Sequence, residues 1–126
     1  MKRFWIGLAL LALVLVLGIW AGNAMLRLHM PIAADLEQAA NYAEAGNWVA
    51  TEALYVRARN RWDTGRDRIA AIYNHQPLDE IDARFRELEI YLSSREVTAS
   101  RAVCVYLAER LRDLSDSFRI SWENLL

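Results

Sequence analysis

The N-terminal apolar run constrains this chain more than any other feature. From Phe4 to Gly22 no side chain is charged or strongly polar. A helix of about 19 residues is roughly 28 Å long, which matches the apolar thickness of a bilayer. The run therefore predicts a membrane anchor over residues 1–26, with the charged remainder of the chain held near the membrane as a separate domain.

Basic residues and tryptophans flank the run. Lys2 and Arg3 precede it, Arg27 alone follows it directly, and Trp5 and Trp20 lie near its two ends. Indole rings favour the headgroup boundary, and an excess of Lys and Arg favours the cytoplasmic side. We therefore expect the N-terminus in the cytoplasm and the C-terminal domain outside the cytoplasmic membrane.

The competing interpretation of the run is a cleaved signal peptide. Gly22 and Ala24 are small residues in a cleavage-like arrangement before Met25. The apolar core is longer than the roughly 7–15 residues of a usual signal sequence, which favours a retained anchor. Cleavage would instead produce an exported soluble helical protein.

Gly18 and Gly22 form a G-x-x-x-G pair inside the run. Such a pair lets two membrane helices approach closely, although glycine is common in membrane helices in general. We expect these glycines to be the helix-contact residues if the anchor associates with another membrane protein or with a second copy of itself.

The composition of the remaining residues, about 100, suits one small domain. After the anchor the chain has 13 arginines and 16 acidic residues, so the domain carries a small negative charge. This balance lacks the basic footprint of a nucleic-acid-binding protein. Cys104 is the only cysteine, which excludes an internal disulfide and is typical of a small buried hydrophobe.

Apolar residues recur at helical spacing after the anchor, and no stretch shows the alternation of a strand. The predicted helices are Ile32 to Glu44, Trp48 to Tyr73, Pro77 or Leu78 to Leu92, and Thr98 to Phe118. Gly46 suits a helix end and Asn47 the next N-cap. Residues 27–31 form a short connection, in which Pro31 either begins a new helix or kinks a continuous one. The predicted fold is all-α: an N-terminal transmembrane helix followed by a small antiparallel bundle of three to four helices over residues 32–126.

The second predicted helix carries a seam of large and small residues. Trp48, Tyr55 and Trp62 are seven residues apart, and Ala58 and Gly65 fall at intermediate positions. This spacing indicates a buried face, and the two small residues would let another helix approach closely.

The C-terminal tail is apolar for a chain terminus. Trp122, Leu125 and Leu126 are its large apolar residues. We expect the tail to dock, either onto its own bundle or onto a partner, rather than to fray.

Signals of catalysis are scarce. No nucleophile elbow, phosphate loop or zinc-protease motif occurs in the sequence. His75, Asp79 and Asp82 are a weak candidate divalent-metal set. The alternative is that the two carboxylates stabilise the start of the third helix, while His75 forms a hydrogen bond with the backbone of the preceding turn. We expect no catalytic residue, no cofactor and no small-molecule substrate.

The order of several motifs resembles one protein family. The anchor is followed by Asn47-Trp48, by Trp62, by the stretch His75 to Asp82, by Leu88 and Tyr91, and by Asn124-Leu125-Leu126 at the end. This arrangement is similar to the domain of unknown function DUF4363. The resemblance implies a bacterial, single-pass, membrane-anchored helical protein, and it implies no activity, cofactor or substrate.

The expected function is therefore non-catalytic, namely binding or scaffolding a partner at the outer face of the cytoplasmic membrane. The expected partners are the lipid bilayer and either another membrane protein or the protein itself. The alternatives are the exported soluble protein and a membrane-tethered metal-dependent enzyme that uses His75, Asp79 and Asp82.

Overall fold

Four helices account for the described chain in a computed structural model of the protein. The structure describes residues 1–70 and 75–125, with the side chains at 21, 22, 24–26, 69, 75 and 117–125 outside that description. The helices are α1 Lys2–Glu44, α2 Trp48–Ala70, α3 His75–Ser93 and α4 Val97–Leu125. No strand occurs among these described residues, which confirms the all-α prediction.

The first helix has two parts with opposite environments. It is 43 residues long, or roughly 65 Å at 1.5 Å per residue. Its first part, Lys2–Trp20, is long and apolar enough to cross a membrane, and most of its large side chains are exposed. Its second part, from Leu28 to Glu44, packs into the bundle. We call these parts the apolar segment and the bundle part of α1.

With α1 divided in this way, the described residues form five helical segments. The total is therefore five, of which one is the apolar segment and four form the bundle. The bundle consists of the bundle part of α1 with α2, α3 and α4.

Residues 27–31 are helical, so the predicted connection is not a break and Pro31 lies inside α1. Proline removes one backbone N–H and crowds the carbonyl four residues earlier, here that of Arg27. Pro31 is exposed, so water can hydrogen-bond that carbonyl. On the opposite face His29, Ile32 and Ala33 are fully buried. Burial of this face stabilises the helix across the proline.

The turn between α1 and α2 forms as the sequence predicted. Gly46 has a φ of +77°, and its N–H donates to the carbonyl of Ala43 over 3.1 Å. The N–H of Asn47 donates to the carbonyl of Tyr42 over 2.9 Å, which completes a glycine-based helix end. The Asn47 side chain then caps α2 by accepting from the N–H of Ala50 over 3.2 Å.

The four bundle helices pack in a cycle, α1 against α2, α2 against α3, α3 against α4 and α4 against α1. The pairs Glu44–Arg101 and Glu37–Arg112 show that α1 and α4 are antiparallel. The core contains apolar residues that recur at helical spacing along the bundle part of α1, along α3 and along α4. They are Ile32, Leu36, Ala39, Ala40, Ala43, Leu78, Ile81, Phe85, Leu88, Leu92, Val103, Leu107, Leu111 and Leu114.

Gly65 is a point of close approach between α1 and α2. A Cβ atom at this position would lie 2.5 Å from Cδ2 and 2.6 Å from Cδ1 of Leu28. The prediction that a small residue here admits another helix is confirmed, and the neighbour is the beginning of the bundle part of α1.

Several helix bounds differ from the prediction. The helix α3 begins at His75, because proline is tolerated in a first turn and Pro77 therefore does not delay the start. The helix α4 continues to Leu125 rather than ending at Phe118. The predicted tail is therefore the end of α4 rather than a separate segment. The predicted end of α2, at 71–73, lies outside the described residues.

Candidate functional site

A buried histidine joins α1 to α4 at the end of the bundle that adjoins the apolar segment. We call this end the basal end. His29 Nδ1 lies 2.7 Å from the Oγ of Ser115, and both residues are buried. The Ser115 hydroxyl donates to the carbonyl of Leu111 over 3.2 Å. The direction of the hydrogen bond between His29 and Ser115 depends on which ring nitrogen carries the imidazole proton.

The second ring nitrogen of His29 has no hydrogen-bond partner among the described residues. The ring lies beside Trp62, with 6.0 Å between the ring centroids. Burial disfavours the charged imidazolium and lowers the pKa of His29 to about 4. The histidine is therefore neutral at pH 7 and acts as a hydrogen-bonded core residue between two helices.

A buried carboxylate joins α1 to α2. Asp35 accepts two hydrogen bonds from Arg57, over 2.6 Å and 3.1 Å. A third bond comes from Arg61 over 3.3 Å. The Asp35 side chain is 7 % exposed, whereas the two arginines are about half exposed. Two cations therefore share one buried anion, and this face keeps an excess of positive charge.

Arg66 binds the two carboxylates that were predicted from the sequence as candidate metal ligands. It donates to Asp79 over 2.7 Å and to Asp82 over 2.6 Å. Asp82 also accepts from the indole N–H of Trp62 over 2.7 Å. The His75 side chain lies outside the described residues. Among the described residues no three of His, Cys, Asp and Glu form a group suited to a metal ion. Asp79 and Asp82 therefore pair α3 with α2.

A third polar cluster joins α3 to α4. Tyr106 donates a short hydrogen bond to Glu80, and Arg110 donates to the same carboxylate over 3.1 Å. The bond from Tyr106 lowers the pKa of Glu80, and it raises the pKa of Tyr106. The guanidinium of Arg84 lies 4.7 Å above the ring of Tyr106. This cluster is partly exposed and holds the two helices in register.

Cys104 is fully buried, as its apolar surroundings in the sequence predicted. Burial raises the pKa of its thiol to about 12, so the reactive thiolate is scarce at neutral pH. The residue acts as a small apolar core side chain.

The structure describes only part of the other predicted contact residues. Gly18 lies on the apolar segment, and the surroundings of Gly22 lie outside the description. Trp122 and Leu125 belong to α4, but their side chains, with the whole of Leu126, lie outside the described residues. The contacts expected of these residues therefore stay predictions.

Sequence reasoning missed His29, Ser115 and Asp35. One signal could have found the first of them, because His29 precedes Ile32 and Leu36 by three and seven residues on one helical face. The prediction of a connection at 27–31 concealed that continuity. Asp35 carried no comparable signal, since a lone carboxylate beside core positions is typical of a solvent-exposed residue.

The fold and its polar contacts define an all-helical protein in which a bundle is continuous with a helix apolar enough to cross a membrane. Within that class, the chain belongs to the family described as domain of unknown function DUF4363, which matches residues 19–125. The matched range contains the whole bundle and only the end of the apolar segment. No curated protein and no solved structure matches the chain.

Proposed function

We propose that this protein is a membrane-anchored scaffold, whose bundle binds a partner at the outer face of the cytoplasmic membrane without catalysing a reaction. The continuity of α1 carries this proposal. One helix runs from an apolar, exposed first part into a second part that is buried in the bundle. A bundle fixed to its anchor in this way keeps one distance and one orientation relative to the bilayer, which is what a scaffold requires.

The exposed side chains of the apolar segment support the anchor. Leu10, Leu13 and Val16 are each about half exposed or more, and a bilayer would remove this surface from water. The charge pattern of Lys2 and Arg3 favours the orientation with the N-terminus inside. A signal sequence would also satisfy the length and hydropathy of Lys2–Trp20, so cleavage is the outcome that the experiment must distinguish.

The use of the polar side chains supports a non-catalytic role. Asp35, Glu80 and Asp82 are each bound by an arginine from a neighbouring helix. Catalytic sites need acids, bases or nucleophiles that converge on a space where substrate can react. In the described part of the chain, these groups are engaged in holding helices together.

The test is to express the full chain in bacterial cells, to wash the isolated membranes at alkaline pH, and to measure the intact mass of what remains. We expect full-length protein in the washed membranes, with its bundle digested when protease is added to spheroplasts. The control variant carries Leu10→Arg and Leu13→Arg. It should leave the membrane, because each arginine costs about 2.5–3.5 kcal/mol at the centre of a membrane helix. A mature mass that begins near Met25 would contradict the anchor.

The partner is sought in the same membranes. In-membrane cross-linking of wild type and of a Gly18→Leu, Gly22→Leu variant tests whether the apolar segment pairs with another helix. We expect the cross-linked species to decrease in the variant, because leucine prevents the close approach of two helices. Unchanged cross-linking would show that the contact with the partner is made by the bundle rather than by the apolar segment.

A further inference from the structure

Two hollows beside α1 share Arg27 and Leu28. The larger, of about 490 Å³, lies between α1 and α2 and is lined by Arg27, Leu28, Pro31, Asn60, Arg61 and Thr64. The smaller, of about 340 Å³, is lined by Trp20, Asn23, Arg27 and Leu28. Between them they extend from Trp20, at the end of the apolar segment, to the side of α2. We call the two hollows together the Arg27 groove.

The position of the groove along α1 matches the headgroup layer of a bilayer. Arg27 comes seven residues after Trp20, which is about 10 Å along a helix. The Cα–Cβ bonds of a helix tilt toward its N-terminus, so the Arg27 side chain leaves the helix on the side nearer the apolar segment. The position of Arg27 in the headgroup layer rests on the proposed membrane anchoring, which puts Trp20 near the boundary of the hydrocarbon layer.

The charge of the groove is positive. Arg27 is exposed and has no carboxylate partner among the described side chains. Arg61 is 46 % exposed, and its bond to Asp35 is the longest of the three that this carboxylate accepts. Arginine binds phosphate through paired N–H donors, so two such groups at one groove suit a phosphate ester.

The remaining lining suits the other parts of a phospholipid. Leu28 and Pro31 give the groove an apolar floor. The Thr64 hydroxyl donates to the carbonyl of Asn60 over 2.8 Å, so its oxygen can accept from a headgroup hydroxyl. Trp20 lies at the lower end, where acyl chains begin. A free phosphate ion would use only the upper part of such a groove, whereas a lipid uses all of it.

We propose that the Arg27 groove binds an anionic phospholipid, with its phosphate between Arg27 and Arg61 and its acyl chains beside Trp20. A bound lipid of this kind would add a second attachment next to the anchor. It would also fix the rotation of α1 and of the bundle about the membrane normal.

The test uses the full-length protein in non-ionic detergent micelles that contain equal amounts of phosphatidylglycerol and phosphatidylcholine. Native mass spectrometry counts the lipids that each protein retains. We expect preferential retention of phosphatidylglycerol by wild type, and a roughly tenfold loss of that preference in Arg27→Gln, Arg61→Gln. The matched control, Arg86→Gln with Arg101→Gln, removes the same charge from other parts of the bundle and should keep the preference.

Further outcomes separate this proposal from its alternatives. The double variant also removes the bond from Arg61 to Asp35 and can therefore disturb folding. In that case Arg27→Gln alone is the test variant, and it should also reduce the preference for phosphatidylglycerol. Equal preference in wild type and in the Arg27 variants would overturn the lipid site. So would displacement of the lipid by excess inorganic phosphate, which would reassign the groove to a free anion. Protein that leaves alkaline-washed membranes contradicts the anchor. Protein that stays there without lipid preference contradicts only the lipid site.

Discussion

His29 and Ser115 are 86 positions apart in the chain, and their side chains meet over 2.7 Å in the interior of the bundle. The contact joins the start of the bundle part of α1 to α4, nine residues after the apolar segment ends at Trp20. It combines a neutral imidazole, a hydroxyl and a backbone carbonyl in one buried chain of hydrogen bonds. The contact fixes the start of the bundle part of α1 against α4.

The burial of His29 predicts that stability depends on pH. Its pKa is about 4 in the folded protein, against 6.5 for a histidine exposed to water, as in the unfolded chain. Between these values the unfolded chain binds more protons, so stability is complete above pH 6.5 and decreases as the pH falls toward 4. We expect a loss of about 2 kcal/mol between pH 6.5 and 5. Urea unfolding of the full chain in detergent, followed by tryptophan fluorescence, measures it.

Two histidine variants test the origin of that pH dependence. His29→Gln should remove most of the slope between pH 6.5 and 5, since glutamine does not titrate. His75→Gln should keep it. A slope that persists in His29→Gln would assign the effect to other groups.

Ser115→Ala should destabilise the protein by about 1–2 kcal/mol, because it leaves the buried Nδ1 of His29 without its hydrogen-bond partner. Ser100→Ala is the matched control on the same helix. Ser100 is also buried, but its hydroxyl has no hydrogen-bond partner among the described residues. Its loss should therefore be neutral or slightly stabilising. Equal effects of the two substitutions in urea unfolding would mean that the contact of Ser115 with His29 contributes nothing.

Gly65 and Leu28 should show a strong energetic coupling. In the wild-type background Gly65→Ala gains about 1 kcal/mol of helix propensity, but its Cβ would lie 2.5 Å from Leu28. The two effects oppose each other, so we expect no net gain. In a Leu28→Ala background the clash is absent, and the same change should stabilise the protein by about 1 kcal/mol. A double-mutant cycle by thermal unfolding measures the coupling, and additive effects would show that Leu28 moves aside without cost.

Asp82 and Asp79 should differ in their contribution to stability although Arg66 binds both. Asp82 also accepts from buried Trp62, and its side chain is 18 % exposed against 68 % for Asp79. We expect Asp82→Asn to cost about 1–3 kcal/mol and Asp79→Asn at most about 1 kcal/mol. Thermal unfolding compares them. The metal-site hypothesis predicts a different result. In that case Mg²⁺ or Zn²⁺ would raise the melting temperature of the wild type and would not raise that of either variant.

The sequence by itself determined the class of the fold, the apolar segment, the core positions and the first turn. Each of these rests on a local pattern. Heptad spacing placed Tyr55, Ala58 and Trp62 in the interior, and Gly46 with Asn47 marked a turn that depends on only a few residues. Hydrophobic periodicity reports which face of a helix is buried, and burial of that face stabilises the helix wherever its neighbours lie.

Only the tertiary structure decided which polar groups meet. Arg57 and Arg61 of α2 bind Asp35 on α1, whereas Arg66 of the same helix binds both Asp79 and Asp82 on α3. These pairings depend on the order of the helices around the bundle, on their rotation and on their register. A periodic pattern contains none of those quantities. The same holds for His29, whose role required α1 to continue through Pro31 and α4 to return alongside it.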